Sequence, residues 1–289
     1  MKNLFVLFTA IFVINSTLLS DSTKSIKLKT NTTIWQDFTK DLGILATDWG
    51  AYLTTPLRMN GKDVFMVSSL FIGTIISSAA DLEIRNKVSR RGYNTYNGDF
   101  WDVPTFYGYV QYPSILGGAM YGVGLFSRNK WIRTTGRQLI QALIYGGTIT
   151  IGMRYLTGRK RPFTSEKNQY EFKAFESNGD LASFPSGHMV VAMTTSTILA
   201  ERIDTWWARA ILYPFAFLTG YARLYNDKHW ISDIIFGAAL GYGSAKFVLN
   251  QEEKREKEKL KSGLKSGKKK GGGFSIIPTG NGINISYKF

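Results

Sequence analysis

The chain has 289 residues, 44% of them hydrophobic, which is enough for one sizeable core. It has two histidines and no cysteine, which excludes a disulfide framework, a thiolate nucleophile and a cysteine-ligated metal, and argues against a histidine-rich metal site. The net charge is +15, but nine basic residues crowd into 251–270 beside four glutamates. Because the charge is local and no nucleic-acid motif accompanies it, we expect no nucleic-acid partner.

The N-terminal segment 1–20, MKNLFVLFTAIFVINSTLLS, has one lysine and then an apolar stretch of signal-peptide length. It predicts an export signal, either cleaved or kept as a signal anchor, and the alternative is an ordinary first membrane helix. Residues 21–63 are polar and mixed in character. They contain an amphipathic piece, IWQDFTKDLGILATDWGAYL, that suits a membrane surface and is too charged to span a bilayer.

Six apolar segments follow and are expected to be α-helices, at 64–80, 105–127, 138–157, 188–202, 209–224 and 231–249. Glycine-rich apolar faces such as GGAMYGVG suit close helix packing in lipid. Several segments are shorter than the roughly 20 apolar residues that a spanning helix needs. We predict an all-α domain over 64–249, a bundle of about six transmembrane helices, with a soluble exported bundle as the alternative.

Two segments follow this bundle. Residues 250–273 form a basic linker, either a solvated tail or an anchor that faces anionic lipid. Residues 274–289 alternate apolar and polar side chains on either side of a Gly-Asn-Gly turn, which predicts a β-hairpin tail.

Six spans would place three polar clusters on one side of a bacterial-type inner membrane. The basic residues between 128 and 137 and the basic tail would lie on the other side, which the positive-inside rule makes cytoplasmic. The clusters would then face the periplasm. A cleaved signal conflicts with this topology, because it leaves the mature N-terminus outside and six spans would return the tail outside. Either one segment does not span, or the bundle is soluble and periplasmic.

The three polar clusters are RYLTGRKRPF at 154–163, FPSGH at 184–188 and ARLYNDKHWISD at 222–233. Each has an ordinary explanation when taken alone. The first could be a helix end stopped by Pro162, the second a turn with an N-cap serine, and the third a surface hydrogen bond at i, i+4. Their order and their expected placement on one side favour a single site.

This site suits a tetrahedral phosphate dianion. Arg154, Arg161 and Arg223 supply guanidinium forks that match phosphate oxygens. Ser186 and Gly187 precede a helix that begins near His188, so their amides point at an anion from the positive end of the helix dipole. Gly187 also lets the backbone approach the phosphate closely.

The two histidines fit two chemical roles. His229 and Asp233 are one helical turn apart, so we expect a carboxylate–imidazole pair in which Asp233 fixes the tautomer and His229 is the nucleophile. His188 is then free to protonate the departing alkoxide as a general acid. We expect no metal ion or other cofactor.

The ordered motifs RxxxxxxRP, PSGH and RxxxxxHxxxD resemble the signature KxxxxxxRP, PSGH and SRxxxxxHxxxD of the type 2 phosphatidic acid phosphatase superfamily. That superfamily includes class A acid phosphatases and vanadium haloperoxidases, and the motif resemblance covers about 150–249. It implies the roles given above and a metal-free phosphohistidine intermediate on His229. Arg154 stands in place of the signature's lysine and Ala222 in place of its serine, which puts the rate and the substrate preference in doubt.

The resemblance implies a membrane phosphatase that acts on lipid phosphomonoesters or pyrophosphates, with phospholipid or isoprenoid phosphate as substrate and membrane lipids around it. Two enzymatic alternatives are a soluble periplasmic acid phosphatase of broad specificity and a vanadium haloperoxidase. Outside enzymes, the alternative is a lipid-binding envelope module. His188, His229 and Asp233 argue against the module, because a pure binder needs neither an acid nor a nucleophile.

Overall fold

A computed structural model of the chain describes residues 32–89, 100–165, 168–176, 178–267, 274–279 and 282–287. The predicted signal segment 1–20 lies outside these residues. The chain divides into two compact units, Met1–Asp37 and Phe38–Phe289. All eight predicted site residues belong to the second unit.

The described residues form nine α-helices, where the apolar pattern predicted about six. They are α1 Ile34–Leu53, α2 Gly61–Ser78, α3 Asp81–Val88, α4 Asp102–Tyr107, α5 Gln111–Phe126, α6 Lys130–Thr157, α7 Gly187–Ile203, α8 Trp206–Tyr225 and α9 Ile231–Gly267. Short 3-10 turns occupy Thr55–Arg58, Pro162–Thr164 and Gly179–Leu181. Each of the six apolar segments is therefore helical, one of them is broken into two helices, and α1 and α3 are additional.

The predicted helix at 105–127 is two helices, α4 and α5, because the chain turns at Gly108. A Cβ added to Gly108 would lie 2.8 Å from His188 Cβ and 2.8 Å from Thr219 Cγ2, so the turn packs tightly on α7 and α8. Pro113 lies in the first turn of α5, where a missing amide donor costs nothing. The break places Tyr109 next to His188.

Helix α6 begins earlier and ends for a different reason than the sequence indicated. Asn129 caps its N-terminus by accepting a hydrogen bond from Ile132 N at 3.1 Å. Gly158 ends it with a left-handed φ of 52°, and an added Cβ there would lie 1.7 Å from Lys173 O. Glycine is therefore required at this C-cap, and Pro162 does not stop the helix.

Helix α7 lies at the centre and packs against α6, α8 and α9. Two buried apolar clusters flank it, one with Tyr145, Ile198 and Val248, the other with Met189, Ala216 and Ile234. Glycines on α9 bring the two backbones close, since a Cβ added to Gly237 would lie 2.8 Å from Ser186 O. This packing fixes the N-terminus of α7 against the start of α9.

Helices α2 and α3 form a bent pair, and α2 has an apolar outer surface. Asn60 starts α2 with a reciprocal capping box to Asp63. Within the described residues, no helix taken singly has both the length and the apolarity to cross a bilayer, whereas α2 and α3 together do, with a 57° bend between them. Phe65 and Ile75 of α2 are 72% and 68% exposed.

Helix α9 continues to Gly267, into the segment that the sequence indicated as a basic linker. Two strands follow, β1 Phe274–Thr279 and β2 Gly282–Tyr287. They pair antiparallel, with Phe274 opposite Tyr287 and Thr279 opposite Gly282.

Candidate functional site

The three polar clusters of the sequence meet where four helices begin or end. Arg154 lies in the last turn of α6 and Arg223 in the last turn of α8, while Ser186 is the N-cap of α7. His229 lies in the loop just before α9. The site is thus built on helix termini that the central packing of α7 holds in place.

Arg154 and the turn before α7 form one wall of the site. Arg154 donates through Nε and Nη2 to Pro185 O, at 3.3 and 3.2 Å. A Cβ added to Gly187 would lie 2.6 Å from Arg154 Nη2, so glycine permits this close approach. Ser186 is fully buried and occupies the N-cap position, but its side chain makes no capping hydrogen bond. Its Oγ has no hydrogen-bond partner among the described residues. The hydroxyl is therefore available to a ligand.

Arg161 and Arg223 form the opposite wall. Arg161 donates through Nε to Gly179 O at 2.7 Å and through Nη1 to Lys228 O at 3.3 Å. Arg223 is 4% exposed, and its carbonyl accepts a hydrogen bond from Lys228 N at 3.0 Å. Across the described ranges, Arg154 Nη1 and Arg161 Nη2 bond to no other residue.

His229 is held in one tautomer by a backbone carbonyl. Its Nδ1 lies 2.9 Å from Ser183 O and 3.5 Å from Asp233 Oδ2. Since a carbonyl only accepts, Nδ1 carries the proton and Nε2 carries the lone pair. The sequence predicted that Asp233 fixes the tautomer from the same helix, whereas Ser183 fixes it and His229 precedes the helix.

Asp233 is occupied by other partners, which explains this difference. Its Oδ2 accepts from Trp230 N at 2.9 Å, the backward reach of a capping box at the start of α9. The same oxygen accepts from Ser183 Oγ at 2.5 Å, and Oδ1 accepts from Arg159 Nη1 at 2.7 Å. The carboxylate therefore positions the residues around His229.

Burial lowers the pKa of His229 well below its usual 6.5, and the positive charges of Arg161, Arg223 and Arg154 lower it further. The ring is consequently neutral near pH 7, the form in which Nε2 can attack an electrophile. The shift also shows that the three predicted arginines converge on His229.

His188 lies in the same cationic field, close to Arg223, Arg161 and Arg154. The ring of Tyr109 contacts it edge-on, with centroids 4.9 Å apart. Its Nε2 is buried and has no hydrogen-bond partner in the part of the chain that the structure describes. This nitrogen is free to exchange a proton with a ligand.

Sequence reasoning missed a set of buried residues that support the site: Asp81, Arg85, Arg159, Ser183, Asp227 and Trp230. Arg85 binds Asp227 through two hydrogen bonds of 2.8 Å, and Trp230 Nε1 donates to Lys160 O at 2.9 Å. A DxxxR pair next to the apolar segment 64–80 was the one available signal for Asp81 and Arg85. Nothing in the motif spacing distinguished the others.

The arrangement can bind a tetrahedral oxyanion. Three guanidiniums, the amide of Gly187 and the hydroxyl of Ser186 provide donors, and a neutral imidazole stands among them. The prediction that the Ser186 amide also points at the anion is wrong, because this amide donates to Asp233 O at 3.1 Å. In the described ranges no three histidine or carboxylate side chains form a metal-binding group.

Residues 135–257 match the model of the PAP2 superfamily, a region that contains all eight predicted site residues. A lipid A 1-phosphatase of Porphyromonas gingivalis is 30% identical over 126 residues, 43% of this chain and 25% of that protein. An undecaprenyl-diphosphatase of Sulfolobus acidocaldarius is 28% identical over 113 residues, 39% of this chain and 52% of that protein. The chain thus spans a quarter to about half of the curated relatives that it matches.

A transmembrane PAP2-type phosphatidylglycerolphosphate phosphatase from Bacillus subtilis has a similar fold. The TM-score is 0.50 at 20% sequence identity, and the match covers 65% of this chain and 96% of that one. The similarity supports the helical fold described above.

We expect Arg161→Gln to weaken binding of inorganic phosphate by about 10- to 100-fold, because a charge-assisted hydrogen bond contributes about 1.5–3 kcal/mol. Isothermal titration of the purified chain measures the change. Lys160→Gln is the matched control. Lys160 pairs with Glu171 at the surface, and its substitution removes the same charge one residue away from Arg161. Equal losses in both variants, or none in Arg161→Gln, would contradict the site.

Proposed function

We propose, from the membership of residues 135–257 in the PAP2 superfamily, that the chain is a phosphatase of lipid phosphomonoesters or diphosphates that acts through a phosphohistidine. The substrates named for its relatives, lipid A and undecaprenyl diphosphate, support a lipid phosphate as the substrate class. The relatives do not decide between a monoester and a diphosphate, since both kinds of substrate occur among them.

The geometry of His229 is the observation that carries this proposal. Ser183 O accepts a hydrogen bond from Nδ1–H, which leaves the lone pair on Nε2 in a site where Arg154, Arg161 and Arg223 converge. A nucleophile for phosphorus needs that lone pair, and the phosphoryl oxygens need the cations. A protein that only bound phosphate would not need a histidine in this tautomer.

The first step transfers the phosphoryl group to the enzyme. His229 Nε2 attacks phosphorus, a P–N bond forms, and the P–O bond to the lipid alcohol breaks. The charge of the bound phosphate offsets the field of the arginines, so His188 enters the step as an imidazolium. It gives its proton to the departing oxygen, and the products are a neutral alcohol, a neutral His188 and a phosphohistidine. The three arginines stabilise the charge on the phosphoryl oxygens in the transition state.

The second step returns the free enzyme. His188 takes a proton from water, the water oxygen attacks phosphorus, and the P–N bond breaks. Inorganic phosphate leaves and His229 is neutral again. The arginines take the charge-stabilising role that a metal ion has in other phosphatases, so the proposed mechanism is metal-independent.

Exposed apolar side chains near the site support a lipid substrate. Tyr155 and Leu156 follow Arg154, Phe163 follows Arg161 by two residues, and all three are exposed. Phe175 contacts Tyr155 in an edge-to-face arrangement, with ring centroids 5.6 Å apart. A soluble phosphate ester would gain little from this apolar rim, whereas an acyl or isoprenoid chain would bury it.

We place the protein in a bacterial-type inner membrane with the site facing the periplasm. The exposed apolar residues of α2 and the basic end of α9 support that location. Washing membranes with alkaline carbonate should leave the chain in the pellet, and protease added to spheroplasts should spare the 251–270 tail. Release by carbonate would favour a soluble periplasmic protein, and cleavage of the tail would overturn the orientation.

Purified protein should release phosphate from a panel of lipid phosphates, with soluble phosphate esters as controls. Release should persist in excess chelator, because the arginines neutralise the phosphoryl charge. It should be inhibited by vanadate, which adopts the five-coordinate geometry of the transition state. Activity that chelator abolishes and a divalent ion restores would refute the metal-free mechanism.

His229→Ala should abolish turnover of every ester, because it removes the nucleophile. His188→Ala should lower the rate on a lipid or alkyl phosphate by about 10²–10⁴-fold, and much less on an aryl phosphate, whose phenolate leaves without a proton. Single-turnover rates of phosphoenzyme formation on both substrates measure the difference. Equal fractional losses in His188→Ala, or a lipid phosphatase that survives His229→Ala, would mean that the two roles are wrongly assigned.

A further inference from the structure

A chain of buried charges lies beneath the nucleophile, and Arg159 is at its centre. Arg159 donates through Nη2 to Asp81 Oδ2 at 2.6 Å and through Nη1 to Asp233 Oδ1 at 2.7 Å. Arg159, Asp81 and Asp233 are 3%, 1% and 0% exposed. Buried charges of this kind are costly unless they are paired, so the three residues depend on one another.

Asp81 belongs to this network although it lies far from the motifs in sequence. It begins α3, outside the matched region 135–257, and it also accepts from Ser232 N at 3.0 Å and from Ser232 Oγ at 2.7 Å. Asp81 therefore holds both Arg159 and the first turn of α9. Helix α3 thereby contributes to the geometry around Asp233.

The ion pair with Arg159 weakens the electrostatic effect of Asp233 on His229. Asp233 Oδ2 lies 3.5 Å from His229 Nδ1, close enough for a free carboxylate to hold a proton on the ring. Arg159 binds the other oxygen of that carboxylate, and Ser183 takes the hydrogen bond of the imidazole. A protonated ring has no lone pair and cannot attack phosphorus.

The charged groups around His229 come from five parts of the fold. They are Arg154 from α6, Arg161 from the loop after α6, His188 from α7, Arg223 from α8 and Asp233 from α9. Asp233 is the one carboxylate among these five groups. Because Arg159 offsets part of its charge, the arginines outweigh Asp233 at the imidazole.

We propose that Arg159, held by Asp81, is a positioning residue that offsets the charge of Asp233 and thereby keeps His229 unprotonated and directed at the phosphate. The chemical consequence rests on the proposed function, whereas the protonation of His229 does not. The alternative is that Arg159 only stabilises the fold. If Arg159 only stabilises the fold, a folded variant leaves the titration midpoint of His229 unchanged, whereas the proposal predicts a rise.

Histidine-selective NMR titration of the full-length protein tests the proposal, because the chain has two histidines and His188→Gln identifies the signal of His229. Arg159→Gln should raise the titration midpoint of His229 by about one to three pH units, the effect of an uncompensated carboxylate. Asp233→Asn added to Arg159→Gln should reverse the rise. Asp81→Asn, which removes a negative charge, should leave the midpoint unchanged or lower.

Two further variants keep the test decisive. Arg159→Lys keeps the charge but has one nitrogen, which cannot bridge both carboxylates as two guanidinium nitrogens do, so we expect a smaller rise in the midpoint of His229. Because it keeps the buried positive charge, it serves as the test variant if Arg159→Gln does not fold. Arg137→Gln is the matched control, because Arg137 is 5% exposed and pairs with Glu252 at 2.6 Å outside the site. It should lower the melting temperature and leave the midpoint of His229 unchanged.

The acid limb of kcat/KM on a phosphate ester should move to higher pH in Arg159→Gln by the same amount as the NMR midpoint. Unchanged midpoints in folded Arg159→Gln and Arg159→Lys would overturn the proposal, as would a rise in Asp81→Asn equal to that in Arg159→Gln. The titration needs no substrate. A wild-type protein without phosphatase activity would therefore count against the proposed function and leave the titration result standing.

Discussion

The site depends on one buried guanidinium, that of Arg159, which binds two carboxylates from helices far apart in sequence. Without it Asp81 and Asp233 would be two like charges away from water, an arrangement that costs several kcal/mol. With it, Asp233 is free to accept from Trp230 N and Ser183 Oγ, and Ser183 O is placed to accept from His229. The orientation of His229, the nucleophile that we propose, thus follows from an ion pair that lies outside the groups proposed to bind phosphate.

The charged groups around His229 form two layers, one of arginines close to the imidazole and one of buried ion pairs beneath it. The guanidiniums of Arg154 and Arg161 donate to backbone carbonyls, and with Arg223 they place positive charge around His229, which attracts an anion. In the layer beneath, Arg159 offsets one of the two negative charges of Asp81 and Asp233. This separation lets a neutral imidazole stand beside three cations, which is the state that phosphoryl transfer to nitrogen needs. The lipid specificity we propose then falls to apolar side chains at the rim.

The sequence marked the residues that we propose to bind phosphate but not the residues that hold them in place. Arg154, Ser186 and His229 belong to motifs with fixed spacing, and the structure brings their clusters together. Their supports come from tertiary contacts between separate helices, such as Arg159 with Asp81, which no local pattern encodes. The same limit applies to the fold, since apolar periodicity marked the long helices but not the close packing at Gly108 that divides one of them.

Chemical trapping of the intermediate tests the central claim most directly. The protein is mixed with a ³²P-labelled phosphate ester, quenched with alkali within one turnover, digested and mapped. The account predicts a label that is stable in alkali, lost in acid and confined to the peptide that carries His229, with none in His229→Ala. Hydrolysis of the ester without any label on His229, or with the label on another residue, would contradict it.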